Sequence, residues 1–408
     1  MNQATHSVKP RQQNNLLTGA LFPIIITSLV IGLALVHKQP GEPTIMSLNA
    51  YNSDAVLLEL DQDYRGPDSV ESESLLVLRN QLRENPESVD LTRTYVEAAL
   101  STYRKTGDPR YYGYAKGALA KWWHTVAPPR ELWLLRVRIL QSNHEFRQAA
   151  DDLQHYLKMH TKDVEAYIFL ADIWRRLGLL SQARNTCLKI AILGRPTLAQ
   201  ICALEIRLSG GFYQSVLSSA EQLLNNASAL APTEQQWLYA VYAEAAVAAK
   251  NYQLARELYE RSMEVGATDL VTRLHYADVL RELGQHSEVI ELLSNESMEI
   301  PVLLRLSIAT QKSKHAGDEY QKALEKQLNS PLLAPQDFLR EKAMYQLYLQ
   351  QNPVMALELA KQNWALQKAW EDAELLLLCA RSVNDAEYSA IEQEIDTWRK
   401  QSNSPSIL

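Results

Sequence analysis

The side chains able to carry chemistry are few and poorly grouped. Nine histidines are spread through 408 residues, and no pair has the spacing that lets two imidazoles reach one ion. His155 and His160 are five residues apart, about 140° around a helix axis, and cannot chelate together. No His-Glu-x-x-His, Cys-x-x-Cys, Gly-x-Gly-x-x-Gly, phosphate-binding loop or Gly-x-Ser-x-Gly elbow occurs in the sequence. The carboxylate pairs Asp151/Asp152 and Glu392/Glu394 read as ordinary charge on solvated helix faces. The expectation is therefore no enzyme, no metal, no cofactor and no small-molecule substrate.

The three cysteines give one geometric expectation. Helices over 181–193 and 197–209 should fold back about Gly194-Arg195-Pro196, which sets Cys187 beside Cys202. In an oxidising compartment that pair can form a disulfide; otherwise two buried thiols serve as small apolar fillers. Cys379, at the end of Leu375-Leu-Leu-Leu-Cys379, reads as core.

Elements able to position such residues should be helical. Fourteen glycines in 408 residues is about half the usual ~7 %, too few for a nucleotide-binding sheet or a turn-rich sandwich. Leu, Ala, Glu, Gln and Arg dominate, which is helix-former chemistry. The charge is equally restrictive. All 48 acidic residues follow Gly41, while Lys9, Arg11 and Lys38 precede it; the rest of the chain carries 38 basic against 48 acidic residues, a net −10. No Lys/Arg run interrupts it, which argues against nucleic-acid binding.

One segment is not globular. Leu16–Val36 has no charge over 21 residues, about 31 Å as a helix, which matches a bilayer core. It runs into His37-Lys38-Gln39-Pro40 without an Ala-x-Ala site, so it reads as an uncleaved signal anchor. Lys9, Arg11 and the α-amine outweigh Lys38. The positive-inside rule then places residues 1–15 in the cytoplasm and the C-terminal region on the far, periplasmic side of a bacterial inner membrane. Residues 37–72 read as a juxtamembrane linker, with Ala55–Leu60 as an apolar patch able to pack on the first helices.

From 73 to 400 the chain reads as helices of about 12–18 residues, divided by breakers such as Asp108-Pro109, Gly194-Arg-Pro196, Gly210-Gly211 and Ser330-Pro331. Similar residues recur 34 apart: Trp133 with Tyr167, Leu140 with Trp174, Ala149 with Ala183, Tyr242 with Tyr276, Ala243 with Ala277. This pattern resembles the tetratricopeptide repeat family. The clearest copy, 164–197, has Tyr167, Leu170, Ala171, Trp174, Gly178 and Ala183 at the motif positions. The copies 130–163, 236–269 and 270–303 match less fully, and 130–163 departs by placing Arg136 and Val137 where Leu and a small residue belong. The resemblance implies an all-α solenoid of about nine antiparallel helix pairs following the membrane helix, ending in a capping helix and a disordered tail, 401–408.

The family's concave groove maps onto the first two copies as Glu131, Leu134, Arg138, Gln141 and Ser142, then Glu165, Ile168, Asp172, Arg175 and Arg176. Three guanidinium forks around an apolar strip would suit a carboxylate or acidic peptide. The Lys/Asn set of the family's chaperone-tail clamps is absent. The aromatic concentration Tyr95, Tyr103, Tyr111, Tyr112, Tyr114, Trp122, Trp123 and Trp133 reads either as inter-repeat core or as a partner platform. Gly113 and Gly117, four apart, should mark a tight hairpin contact. Together these features imply a membrane-tethered scaffold or assembly factor that takes a peptide or helix of a protein partner. A periplasmic maturation chaperone similar to the repeat proteins of cytochrome c biogenesis, or a non-catalytic subunit of a membrane enzyme or secretion complex, remains an alternative.

Overall fold

Proline, Asn and Asp open the helices where their chemistry requires. Pro196, Pro232 and Pro353 stand in first turns, where a missing N–H removes nothing from the helix. Asp163, Asn251, Asp269 and Asn352 accept from the backbone N–H three residues on, at 2.7–3.2 Å. The computed structural model describes residues 69–106, 109–225, 230–313, 318–331 and 333–403. All belong to the unit Asp63–Leu408.

Twenty helices lie among the described residues: α1 (Ser69–Glu84), α2 (Val89–Thr106), α3 (Pro109–Ala118), α4 (Ala120–Trp123), α5 (Arg130–Ser142), α6 (Phe146–Met159), α7 (Val164–Arg176), α8 (Leu180–Ile192), α9 (Pro196–Ser209) and α10 (Tyr213–Leu224) in the first half. The second half holds α11 (Pro232–Ala248), α12 (Tyr252–Val265), α13 (Leu270–Glu282), α14 (His286–Leu293), α15 (Ile300–Ser313), α16 (Asp318–Leu328), α17 (Leu339–Tyr348), α18 (Pro353–Leu366), α19 (Trp370–Val383) and α20 (Asp385–Asn403). From α5 onward they form eight consecutive hairpins, preceded by α1–α2 and by α3 with the single turn α4. The architecture is an all-α array resembling tetratricopeptide solenoids. The small residues expected at helix crossings, Ala149, Ala171, Ala183, Ala243, Ala255 and Ala277, are all fully or almost fully buried. Each lets a neighbouring helix approach without a void.

Some element boundaries and contacts differ from those expected, and other expected segments fall outside the described residues. The helical region starts at Ser69, inside the expected linker, and α20 runs to Asn403, into the expected tail; the Ser402 hydroxyl donates to the Gly178 carbonyl at 3.0 Å and pins that end. No helix among the described residues is long and apolar enough to cross a membrane. The expected cytoplasmic segment 1–15, the spanning segment 16–36 and the linker up to residue 68 lie outside the described residues. A Cβ added at Gly113 or Gly117 would meet nothing within 4 Å, so their spacing marks no close packing. Tyr95 and Trp133 are buried, and Tyr112 donates to the Ile139 carbonyl at 3.0 Å, so much of the aromatic concentration is core.

Arg136, the residue that breaks the repeat motif, is buried as a rivet. Its guanidinium holds both Asp152 oxygens, at 2.5 and 2.7 Å, and donates to the carbonyls of Trp122, Trp123 and Thr125 at 2.8–3.2 Å. These carbonyls belong to α4 and the turn after it, which is too short to satisfy its own backbone. Asp152 also accepts from the Trp133 indole at 2.9 Å, so it is a structural carboxylate and not solvated surface charge.

The array returns on itself. The Lys368 N–H donates to the Arg176 carbonyl at 2.7 Å, and Arg399 donates to the Tyr213 hydroxyl at 2.5 Å. Gly178, at φ +75°, turns α7 into α8, and a Cβ there would stand 2.8 Å from the Trp398 indole nitrogen. Gly178→Ala therefore combines left-handed strain with a clash, and should cost about 1–3 kcal/mol. Urea denaturation checks this, with limited proteolysis reporting looser docking of residues 385–403. An unchanged midpoint would show that the close approach does not constrain α20.

Candidate functional site

Helices α7, α9 and α11 lie side by side, and residues on them line an open cavity of about 410 Å³. Ile168, Phe169, Ile206 and Trp237 give it apolar walls, Asp172, Arg175, Arg176 and Glu205 supply its central charges, and Asp269 adds a carboxylate to the lining. Helical spacing explains the set on α7: residues 168, 172, 175 and 176 share one face at offsets of three and four.

The charges are already matched. Asp172 accepts from Arg175 at 2.5 Å and from Arg176 at 2.9 Å, and Arg175 also meets Glu205 at 3.1 Å. The Trp237 indole donates to Glu205 at 3.3 Å. Arg175 is only 5 % exposed, so breaking this pairing would strand a buried charge. Burial pushes the Asp172 carboxyl up, but the Arg176 and Arg175 charges outweigh it and hold it well below the usual range. Glu205 goes the other way: burial, with Asp172 and Glu244 nearby, lifts it to about 7 against the pull of Arg175. The forks read from the sequence as free for an acidic ligand are thus engaged within the protein.

The expected groove residues divide cleanly. Ile168, Asp172, Arg175 and Arg176 line the cavity. Arg138 is 48 % exposed, lies over the Phe169 ring at 5.3 Å and has its guanidinium 3.9 Å from Glu165, which also receives Arg130 at 2.8 Å. Glu131 and Ser142 are exposed and Gln141 half-buried, and none of the three lines the cavity. Leu134 is a correction. It sits in the core with Val137, Leu140 and Leu153, because α5 is packed on both sides: its Leu132, Leu135 and Ile139 join the α2–α3 cluster. A helix buried on two faces has no groove face left at that position.

Phe169, Glu205, Ile206 and Trp237 were not anticipated. Extending the groove positions to the copies 236–269 and 270–303 reaches Trp237 in this cavity and Val247, Asp278, Arg281 and Glu282 in a second one, but also takes in Ala240, Glu244, Ala248, Val271 and the buried Leu274, which line neither. Glu205 escapes that rule because 197–232 is degenerate and it stands 33, not 34, residues after Asp172. From α11 onward the chain itself covers this side: the Trp370 indole of α19 donates to Glu244 of α11 at 3.1 Å, and Glu244 also bonds His275 at 3.2 Å. Cys187 of α8 and Cys202 of α9 lie with their sulfurs at bonding distance and Cα atoms 5.8 Å apart, and Cys202 lines the same cavity. Cys379 is buried and unpaired. Among the described residues no cluster of His, Cys, Asp and Glu could hold a metal.

These charges set a pH dependence. Glu205 has a folded pKa above its ordinary 4.5, so its contribution to stability is full below that value and is lost as pH rises toward 7. His275 follows the same sign above 6.5: burial lowers it, but the Glu244 hydrogen bond and nearby carboxylates raise it on balance. Asp172, held low, acts oppositely and loses its contribution only as pH falls below about 4. Glu205 and His275 should therefore lower the unfolding free energy as pH rises from 4.5 through 7, by at most about 1.4 kcal/mol per pH unit for each group, while His144 and His286, which burial holds below 6.5, act in the opposite sense. The difference in urea unfolding free energy between wild type and Glu205→Gln should fall over that window, and a difference that stays flat or rises would contradict the assignment.

No family model and no curated protein matches the chain. Among solved structures it is similar to a tetratricopeptide repeat protein from Parabacteroides merdae ATCC 43184, at 12 % identity over 64 % of this chain and 93 % of that one, with a TM-score of 0.39. It is also similar to the Cut9–Hcn1 hetero-tetramer of the APC/C, at 12 % identity over 82 % of this chain and 67 % of that one, with a TM-score of 0.46. The site is read from its own geometry.

Proposed function

We propose that this chain is a membrane-tethered protein-interaction scaffold or assembly factor, and that the groove across α7, α9 and α11 takes a peptide or helix of its partner. The observation that carries the reading is the cavity itself: about 410 Å³ with Ile168, Phe169 and Trp237 on its walls and its four central charges mutually paired. Such a surface offers apolar contact and shape to a partner, with little net charge, so recognition should depend weakly on salt. Tethering through residues 16–36 would raise the local concentration of a bound partner at the membrane. The array would lie on the periplasmic side, a placement supported by the charge bias around the anchor and by a Cys187–Cys202 pair suited to an oxidising compartment.

The test is recovery of partner by the full chain, comparing wild type with Ile168→Glu. Ile168 is half-buried at the cavity wall, so the fold should tolerate the change while a carboxylate enters an apolar contact. Recovery at least tenfold lower, with a thermal midpoint close to wild type, is expected. Equal recovery would remove the groove from the proposal.

A further inference from the structure

A second cavity, of about 310 Å³, lies where α19 runs inside the curve of α11, α13, α15 and α17. Its size falls at the lower end of small-ligand pockets. Four successive odd-numbered helices each contribute an arginine: Arg281, Arg305, Arg340 and Arg381. Two are committed to carboxylates on other helices, Arg305 to Asp278 at 2.6 Å and Arg340 to Asp372 at 2.6 Å and Glu371 at 3.1 Å.

The other two are differently placed. Arg281 lies over the Tyr348 ring at 4.3 Å, feels the nearby Asp278 charge and pairs through one nitrogen with its exposed neighbour Glu282, while its Nε and Nη1 are covered by protein. Arg381 is exposed, lies over the Tyr388 ring at 4.1 Å and has no carboxylate partner among the described residues. Lys250, exposed at the end of α11, also lines the cavity. It sits at φ +59°, the turn position that Gly178 and Gly284 fill in equivalent hairpins. His144 fills the same position after α5 at φ +58°, so Lys250 is one of two non-glycine residues the described hairpins hold in this left-handed turn.

The acidic residues there limit the ligand. Asp278, Glu282 and Glu371 are balanced by Arg305, Arg281 and Arg340, while Glu374 only accepts from the Tyr213 hydroxyl at 3.2 Å. Arg340 is shared between Glu371 and buried Asp372, so charges balance overall, and Lys250 and Arg381 are the exposed cations facing Glu374. That pair suits a monoanion, and a dianion would meet four carboxylates. Val247, Val279, Met344, Leu375 and Leu378 supply apolar wall, Leu378 being an exposed leucine.

We propose that this cavity binds a small organic monocarboxylate with an apolar body, its carboxylate held by Arg381 and Lys250, whether as a free acid or as the C-terminal residue of a peptide. A planar guanidinium fork stacked on a tyrosine matches carboxylate geometry, and the leucine-lined wall takes the body. The proposal is independent of the groove across α7–α11, and it departs from the expectation that the chain takes no small molecule.

Calorimetric titration of the purified full chain tests it, using 3-phenylpropionate against 3-phenylpropionamide and N-acetyl-Ala-Leu against its C-terminal amide. At least one acid should bind saturably and at least tenfold more tightly than its amide, and the tighter acid identifies the source. Arg381→Gln should weaken that binding at least fivefold. Lys250→Gly should raise the thermal midpoint by relieving the turn, yet also weaken binding, a combination that a purely structural lysine would not give. Equal affinity for acid and amide, no saturable heat with any acid, tighter binding of phenylethyl phosphate, or variants that bind as wild type would each overturn it.

Discussion

Asp372→Ala should destabilise the protein by about 3–5 kcal/mol, the largest effect expected of any single substitution in the C-terminal half. The Asp372 side chain is fully buried, and one of its oxygens accepts from Arg340 Nε at 2.7 Å, from Arg340 Nη2 at 2.6 Å and from the Asn363 amide at 2.7 Å. The other oxygen accepts from the Ala369 N–H at 3.2 Å, which caps α19. Truncation removes all of these at once. Arg340 keeps only Glu371, at 3.1 Å, and Asn363, itself buried, loses its carboxylate acceptor. Because Asp372 links α17, α18 and α19, the loss should also release the contacts α19 makes across the curve, Trp370 to Glu244 first. Urea denaturation gives the magnitude, and tryptophan fluorescence should report exposure of Trp370. A loss below 1 kcal/mol would mean that α19 is held by apolar packing alone.

Arg136→Leu is the second. Leucine is the residue the repeat motif places at this position, and moves toward a consensus commonly stabilise. Here the change should cost about 2–4 kcal/mol, because it strands Asp152 and removes donors from three carbonyls at the end of α4. Arg136→Ala should be worse by the added cavity. Chemical denaturation of the three proteins orders them. A Leu variant equal to or more stable than wild type would show that the rivet adds nothing over apolar filling.

These two residues also mark where the sequence stops being legible. The helical hairpins, their 34-residue register and the burial of Ala171, Ala183, Ala243 and Ala277 follow from periodicity, because small residues at helix crossings leave a local signature. Ile168, Asp172, Arg175 and Arg176 were legible for the same reason, since one helix face follows from spacing on one helix. What spacing cannot show is who pairs with whom. Arg175 and Arg176 look like free forks until α9 brings Glu205 alongside, and Asp152 looks like surface charge until Arg136 reaches it from α5. Leu134 misleads because the motif assumes one packed face, whereas α5 has two. The return of α19 and α20 onto α7–α11 rests on contacts such as Ser402 to Gly178, 224 residues apart, and no local pattern encodes them.

The central claim is that the cavity-bearing face across α7, α9 and α11 is where a partner sits. Photocrosslinking from a benzoylphenylalanine at Phe169, which lines the cavity, against one at Leu188, exposed on α8, tests it most directly. In cells expressing the full chain, the probe at 169 should give a discrete protein adduct that is lost when Ile168→Glu is added, while the probe at 188 gives none. A shared adduct at both positions, or one at 169 that survives Ile168→Glu, would contradict the claim.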